Sequence, residues 1–321
     1  MKDTTLAARR VWRRVAHAAR LHRQRADETN LDVQTIHAIA PDANIVVLTS
    51  PVDETEGTIG LPQFLELEHY AISHHLGSII SQSFGASEVT LNDSAGQQEI
   101  GQWDAFFKQS TTQRGITFFA SSGDNGATDY IDPNETQLST TPTTSFPPDD
   151  PWVTGTGGTT LQRTQTDSSF TETVWDSSDG ASGGGLSDFF STPSYQQSLP
   201  SPVQQVLNHR RGVPDVATDA DPETGLAIYS AGDWELGGGT SATAPFWAAI
   251  AAIANQMAGH SLASLIRRSI SWLPHRATPA TFTISLRATT ASGFTTRLSL
   301  AIMQSWGGIL SPAWVRPTPK T

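Results

Sequence analysis

Short apolar runs alternate along the chain with stretches whose apolar residues recur at helical spacing. Glu28–Ala40 keeps Leu31, Ile36 and Ile39 apolar and predicts a helix. Asn44–Thr49 holds Ile45, Val46, Val47 and Leu48 in succession and predicts a strand. Residues 62–76 predict a helix leading into the strand candidate Ser78–Ser83; residues 98–113 predict another, leading into Ile116–Ser121. Ser241–Met257 is apolar and Ala-rich, the pattern of a buried helix. Alternation of this kind predicts an α/β fold: a parallel sheet flanked by helices on both faces. In such sheets sites gather beyond the strand C-termini, here the loop after Phe119 and the turn before Ser241. Residues 122–190, rich in Gly, Ser, Thr, Asp and Pro, predict long surface loops.

Composition narrows this picture. The 321 residues suffice for one large domain with a buried core. Cysteine is absent, which excludes disulfides and thiolate metal sites. No apolar run is long enough to cross a membrane, and the basic N-terminus lacks the apolar stretch of a signal peptide. The net charge of −11 is unevenly spread. Residues 1–27 hold eight Lys/Arg and two acids, residues 262–321 hold seven Lys/Arg and no acid, and the middle holds five Lys/Arg against 29 Asp/Glu. Basic tails read as nucleic-acid arms or as solvated faces. The acidic middle sheds most of its charge below about pH 4, which is compatible with work in acid and equally with plain solubility.

The chemistry centres on Gly237-Gly238-Gly239-Thr240-Ser241-Ala242-Thr243-Ala244-Pro245. Three glycines permit an unusual backbone, and the helix that follows offers free N–H groups at its positive end. This is the setting of an exposed nucleophilic serine; a plain N-cap after a glycine turn has the same outline. None of the nine histidines stands in a His-Gly-Thr context, so an imidazole base of the subtilisin type is disfavoured. Glu28 and Asp32 stand at i and i+4, on one helix face. Exposed, they are a solvated acidic face; partly buried, they share a proton, and one gains the raised pKa that a general base in acid needs. Asp124 follows a strand in Ser122-Gly123-Asp124-Asn125-Gly126. It reads either as an Asx turn or, protonated, as a donor to an oxyanion.

Taken together, the motifs resemble the sedolisin family of serine-carboxyl peptidases. The chain carries Glu28 with Asp32, Ser81-Gln82-Ser83-Phe84-Gly85, Ser122-Gly123-Asp124-Asn125-Gly126, Phe146-Pro147-Pro148, Val153-Thr154-Gly155-Thr156-Gly157-Gly158-Thr159, Ser182-Gly183-Gly184-Gly185-Leu186-Ser187, Arg211-Gly212-Val213-Pro214-Asp215-Val216 and Gly238-Gly239-Thr240-Ser241-Ala242, in the family's order and spacing across residues 26–262. The resemblance implies a subtilisin-like fold and acid-acting endopeptidase activity. By it Ser241 attacks, Glu28 is the general base and then acid, Asp32 orients Glu28, and Asp124 lines the oxyanion hole. Ser83, Phe84 and Gly85 would hold an extended substrate, with Gly183, Gly184 and Gly185 on the opposite wall. It also implies polypeptide substrates, secretion and calcium, with no nucleic-acid or membrane partner and a monomeric state.

Two parts depart from the family pattern. Only 27 Arg-rich residues precede Glu28, where the family has a pro-region and a first β-α unit, so residues 1–27 read as a non-family or mis-started segment and the sheet as incomplete. The family's calcium site would fall in residues 262–321, which contain no carboxylate side chain, and calcium draws most of its attraction from carboxylates. Parts of that tail can encode the family's C-terminal pattern in a shifted frame, so a frame slip near Leu262 is the expectation. The peptidase domain is then 28–261, and the competing expectation is a catalytically dead remnant.

Overall fold

The computed structural model describes residues 26–50, 52, 57–132, 135–164 and 169–263, together with the backbone pairing of 282–289 with 295–302. In chain order the helices are α1 (26–39), α2 (Leu61–Ser73), α3 (Ser94–Arg114), α4 (Ser201–Leu207) and α5 (Thr243–Ala258). The strands are β1 (Ile79–Gln82), β2 (Ala86–Ser87), β3 (Thr117–Ser121), β4 (Ser145–Phe146), β5 (Val153–Arg163), β6 (Phe170–Val174), β7 (Asp176–Ser177), β8 (Gly180–Ala181), β9 (Gly185–Ser191), β10 (Arg210–Val213), β11 (Val216–Asp219), β12 (Leu226–Ser230), β13 (Asp233–Gly237), β14 (Phe282–Thr289) and β15 (Thr295–Ile302).

The central sheet runs β1-β3-β5-β11, all parallel, and β6 pairs antiparallel with the far half of β5. Side-chain alternation along β3 sends Phe118 and Ala120 to one face and Phe119 to the other. Phe118 and Ala120 join Leu61 and Leu65 of α2 with Ile100, Trp103, Phe106 and Phe107 of α3 in the main core. Phe119 packs against Ala244, Ala248 and Ala251 of α5. The sheet therefore has helices on both faces, as its alternating pattern predicts. The ends of α3 follow local rules: Asp93 Oδ1 accepts from the Gly96 N–H at 2.7 Å, and Gly115 closes the helix with φ +70°.

One expectation fails and another holds only in part. Asn44–Thr49 forms no strand; Val46 and Val47 are 52% and 50% exposed, and β1 is the last strand of the sheet on that side. An apolar run becomes a strand only where a partner lies alongside, and among the described residues none does. Residues 122–144 contain no named strand, in keeping with a long loop, but 122–190 also contains β5, eleven residues long and buried over its first six. Its glycines mislead a compositional reading. A Cβ on Gly155 would lie 2.8 Å from the Pro148 carbonyl, on Gly157 2.5 Å from Pro214 Cγ, and on Gly158 2.6 Å from Ala220 Cβ. Glycine here marks close approach, not a turn.

Beneath this strand Arg211 grips Asp215 by two hydrogen bonds, Nη1–Oδ1 at 2.7 Å and Nη2–Oδ2, with both side chains fully buried. Asp215 Oδ2 also accepts from the Gly155 N–H at 3.0 Å, so the ion pair ties β5 to the loop that starts β11. The peptides Phe146–Pro147 and Val213–Pro214 are cis.

Candidate active site

The serine turn is built by the sheet. Gly239 has φ +85°, a conformation glycine adopts without strain, and it leads into a 3-10 turn, Thr240–Ala242, that opens α5. Thr243 Oγ1 donates to the Thr240 carbonyl and meets Thr156 Oγ1 of β5, both at 2.7 Å. Ser241 is half-buried on this turn, and its hydroxyl has no hydrogen-bond partner among the described residues.

Asp124 reaches the turn from the loop after β3. Its Oδ1 accepts from the N–H and from the hydroxyl of Thr240, both at 2.7 Å, and the same hydroxyl accepts from the Gly123 N–H at 3.0 Å. A Cβ at position 239 would lie 2.6 Å from Asp124 Oδ2, so only glycine lets this carboxyl in. Burial raises the Asp124 pKa, opposed by the two Thr240 hydrogen bonds. With Oδ1 engaged as acceptor, a proton on this acid belongs on Oδ2.

Glu28 and Asp32 arrive on α1, which is held from a different quarter. Leu31, 4% exposed, packs with Ile228 and Ala242. Gln34 exchanges two hydrogen bonds of 2.9 Å with the Tyr229 backbone, and Asn30 Nδ2 donates to Ser230 Oγ at 2.9 Å. The hairpin of β12 and β13 thus carries α1 to the serine turn. Asp32 has its pKa raised well above the ordinary carboxyl range, first by burial and then by the charge of Glu28, against a lowering hydrogen bond from Ser83.

Ser83 joins the two quarters. Its Oγ lies 3.0 Å from Asp32 Oδ1 and 3.2 Å from the Ser241 carbonyl oxygen, so one hydroxyl proton is shared between them. Phe84 packs on Phe64 of α2 with ring centres 4.3 Å apart, and a Cβ on Gly85 would press the Phe146 carbonyl at 3.1 Å.

Gly183 sits against the Asp124 loop. Its N–H donates to the Gly123 carbonyl at 2.6 Å, its carbonyl accepts from Ser122 Oγ at 2.8 Å, and a Cβ there would overlap the Ser122 carbonyl at 2.0 Å. Gly183, Gly184 and Gly185 line a cavity of about 470 Å³ with Gly158, Pro214 and Val216. Ser83, Phe84 and Gly85 are not among its lining residues, so the structure does not make the two glycine-bearing loops facing walls of that cavity.

Among the described residues no histidine is hydrogen bonded to Ser241 or Asp124. His69 of α2 meets the Phe106 ring at a tilt of 57°, and His74, the C-cap of α2, stacks on Tyr70; both are exposed. No group of three or more His, Cys, Asp or Glu able to hold a metal occurs among the described residues. The tail from 262, apart from Leu262, Ala263 and the β14–β15 backbone, lies outside the described residues, as does the Arg-rich start through residue 25. Sequence reasoning missed Thr240, which binds Asp124 twice, and Thr156 and Thr243, which brace the turn. A threonine beside a nucleophile gives no signal until its partner across the fold is known.

No family model matches the chain. Kumamolisin of Bacillus sp. (strain MN-32) is 35% identical over 238 residues, covering 72% of this chain and 40% of that protein. Sedolisin of Pseudomonas sp. (strain 101) is 34% identical over 228 residues, covering 68% and 36%. Parallel sheet, flanking helices and a serine turn at the head of α5 place the chain in the subtilisin-like α/β class. A solved structure of Pseudomonas sedolisin, a serine-carboxyl proteinase complexed with two molecules of pseudo-iodotyrostatin, matches with TM-score 0.63 and 31% identity over 78% of this chain and 68% of that one. The chain belongs to the sedolisin family. It spans about two fifths of the length of the curated relatives it matches.

Proposed function

We propose that the chain is the catalytic part of a serine-type endopeptidase that cleaves polypeptides in acid. The observation that carries this reading is the Ser83 hydroxyl, which ties the acid pair on α1 to the backbone of Ser241 while Asp124 closes on the same turn from the other side. Ser241 Oγ attacks the peptide carbonyl, forming the C–O bond and a tetrahedral oxyanion. Glu28 takes the hydroxyl proton and returns it to the leaving amine as the C–N bond breaks. Asp32 shares a proton with Glu28 and sets its basicity; crowding of two carboxyls places that basicity in the acid range. Neutral Asp124 donates from Oδ2 to the oxyanion, because the Thr240 N–H is already committed to Oδ1. Water then repeats the sequence on the acyl-enzyme. Secretion, a monomeric state and the absence of nucleic-acid and membrane partners belong to the same reading.

The test is cleavage of an unfolded protein between about pH 3 and 5. Ser241→Ala is expected to lower kcat by roughly 10⁴-fold or more, and Glu28→Gln by about 10²–10⁴-fold. A Glu28→Gln variant with full activity sinks the carboxylate mechanism. A wild-type chain that folds cooperatively yet cleaves nothing supports the dead-remnant reading.

A further inference from the structure

Behind Ser83, α2 grips the end of β1, the strand that leads into it. Phe64 and Glu68 stand four residues apart on one face of α2. Phe64 meets Phe84, and Glu68 meets Gln82, so the helix holds the residue on each side of Ser83. Gln82, 1% exposed, donates from Nε2 to Glu68 Oε1 at 2.6 Å, and Glu68 is 6% exposed. Among the described residues the remaining polar atoms of both side chains, Glu68 Oε2 and Gln82 Oε1, are buried without a partner. Both are acceptors when the acid is ionised. Protonation turns Glu68 Oε2 into a donor, and the acceptor it lacks is the one Gln82 has to spare.

We infer that Glu68, held as the neutral acid, clasps Gln82 through a two-point acid–amide pair and so positions Ser83 from behind. The clasp acts on the proposed peptidase site and rests on that reading only for its effect on activity. Burial pushes the Glu68 carboxyl up to about 8, against the opposing hydrogen bond from Gln82. The titratable groups on α2 itself are Glu66, His69 and Tyr70; α3, packed against it, brings Glu99, Asp104, Lys108 and Arg114; β1, β3 and α5 bring none. Glu99 is engaged by Trp103 Nε1 at 3.1 Å. The clasp is therefore closed in acid and at neutrality and opens as pH rises through about 8, when a charge appears in a dry site with only one donor facing it.

The test compares the full wild-type chain with Glu68→Gln, which keeps a neutral two-point partner, and Glu68→Leu, which keeps none. Difference infrared spectroscopy is expected to show a protonated-carboxyl band in wild type that disappears near pH 8 and is missing from Glu68→Gln. The Ser83, Phe84 and Gly85 amides are expected to exchange about tenfold faster in wild type than in Glu68→Gln at pH 9, and equally at pH 5. On peptide substrate at pH 4, Glu68→Gln keeps kcat within about threefold, and Glu68→Leu loses about tenfold in kcat with little change in KM. A band unchanged in Glu68→Gln, or equal amide exchange at pH 9, overturns the clasp even if the chain is an active peptidase. The expected band and exchange pattern in a chain that cleaves nothing upholds the clasp and defeats the proposed function instead.

Discussion

The two flanks of Ser241 are built differently. On the Asp124 side every contact grows out of the central sheet: β3 supplies the loop, β5 braces Thr243, and Thr240 binds the carboxyl twice. On the Glu28–Asp32 side the carboxyls ride on one helix, held by buried Leu31, the Ser83–Asp32 hydrogen bond and a few hydrogen bonds to an outlying hairpin. The oxyanion flank is preorganised by the core, whereas the acid–base flank is docked onto it. Local openings are drawn from the least-buried elements, so the proton-transfer machinery should detach before the nucleophile turn does.

Raising the pH strains both flanks and has the largest expected effect. Asp32, Glu68 and Asp124 all have raised folded-state pKa values, with burial as the first cause. Such groups leave stability intact below the unfolded carboxyl range and remove it as pH rises through the folded values. For Glu68, moved from 4.5 to about 8, the loss is on the order of 5 kcal/mol by pH 8. Thermal melting followed from pH 4 to 8 should show a falling midpoint; a flat or rising one contradicts the buried neutral acids.

Leu31→Ala breaks the comparison most directly. It should weaken docking of α1 by about 2–5 kcal/mol. Hydrogen exchange should speed across residues 26–39 while β3 and α5 keep their protection; uniform loss would show that the flanks are one cooperative unit. Asp124→Ala attacks the other side. It should lower kcat by about 10²–10³-fold with little change in α1 exchange. Ser83→Ala is the mildest, about tenfold in kcat, the scale of one hydrogen bond. Because the Ser83 hydrogen bond lowers the Asp32 pKa, its removal raises the acid pair's pKa, and the acid limb of the pH–rate profile should move to higher pH. A limb that stays in place separates Ser83 from the pair.

Much of this was legible in sequence where periodicity and burial agree. The patterns of α3, α5 and β3 appear where expected because Trp103, Phe107, Phe118 and Ala248 serve the same core that their spacing implies. Several motif residues also come together: Ser83 links Asp32 to the Ser241 carbonyl, Asp124 binds Thr240 on the same turn, and Glu28 acts on Asp32 through its charge. Composition misled at β5, where glycine means contact, and at Asn44–Thr49, where apolarity found no neighbour. Glu68 and Gln82 were invisible for a different reason. A polar residue on a helix face reads as solvent-facing until a second polar side chain is found buried opposite it.

The glycines of β5 bear on how freely this chain can change. At 155, 157 and 158 the smallest side-chain atom already collides with a carbonyl, a proline ring or a methyl group. Saturation mutagenesis read out by folding should leave those three columns nearly empty beside a tolerant Gly101 on α3, where an added carbon meets nothing within 4 Å and the backbone is helical. Sequence drift in this fold is thus channelled away from its middle strand, and new specificity has to be sought in the loops around it.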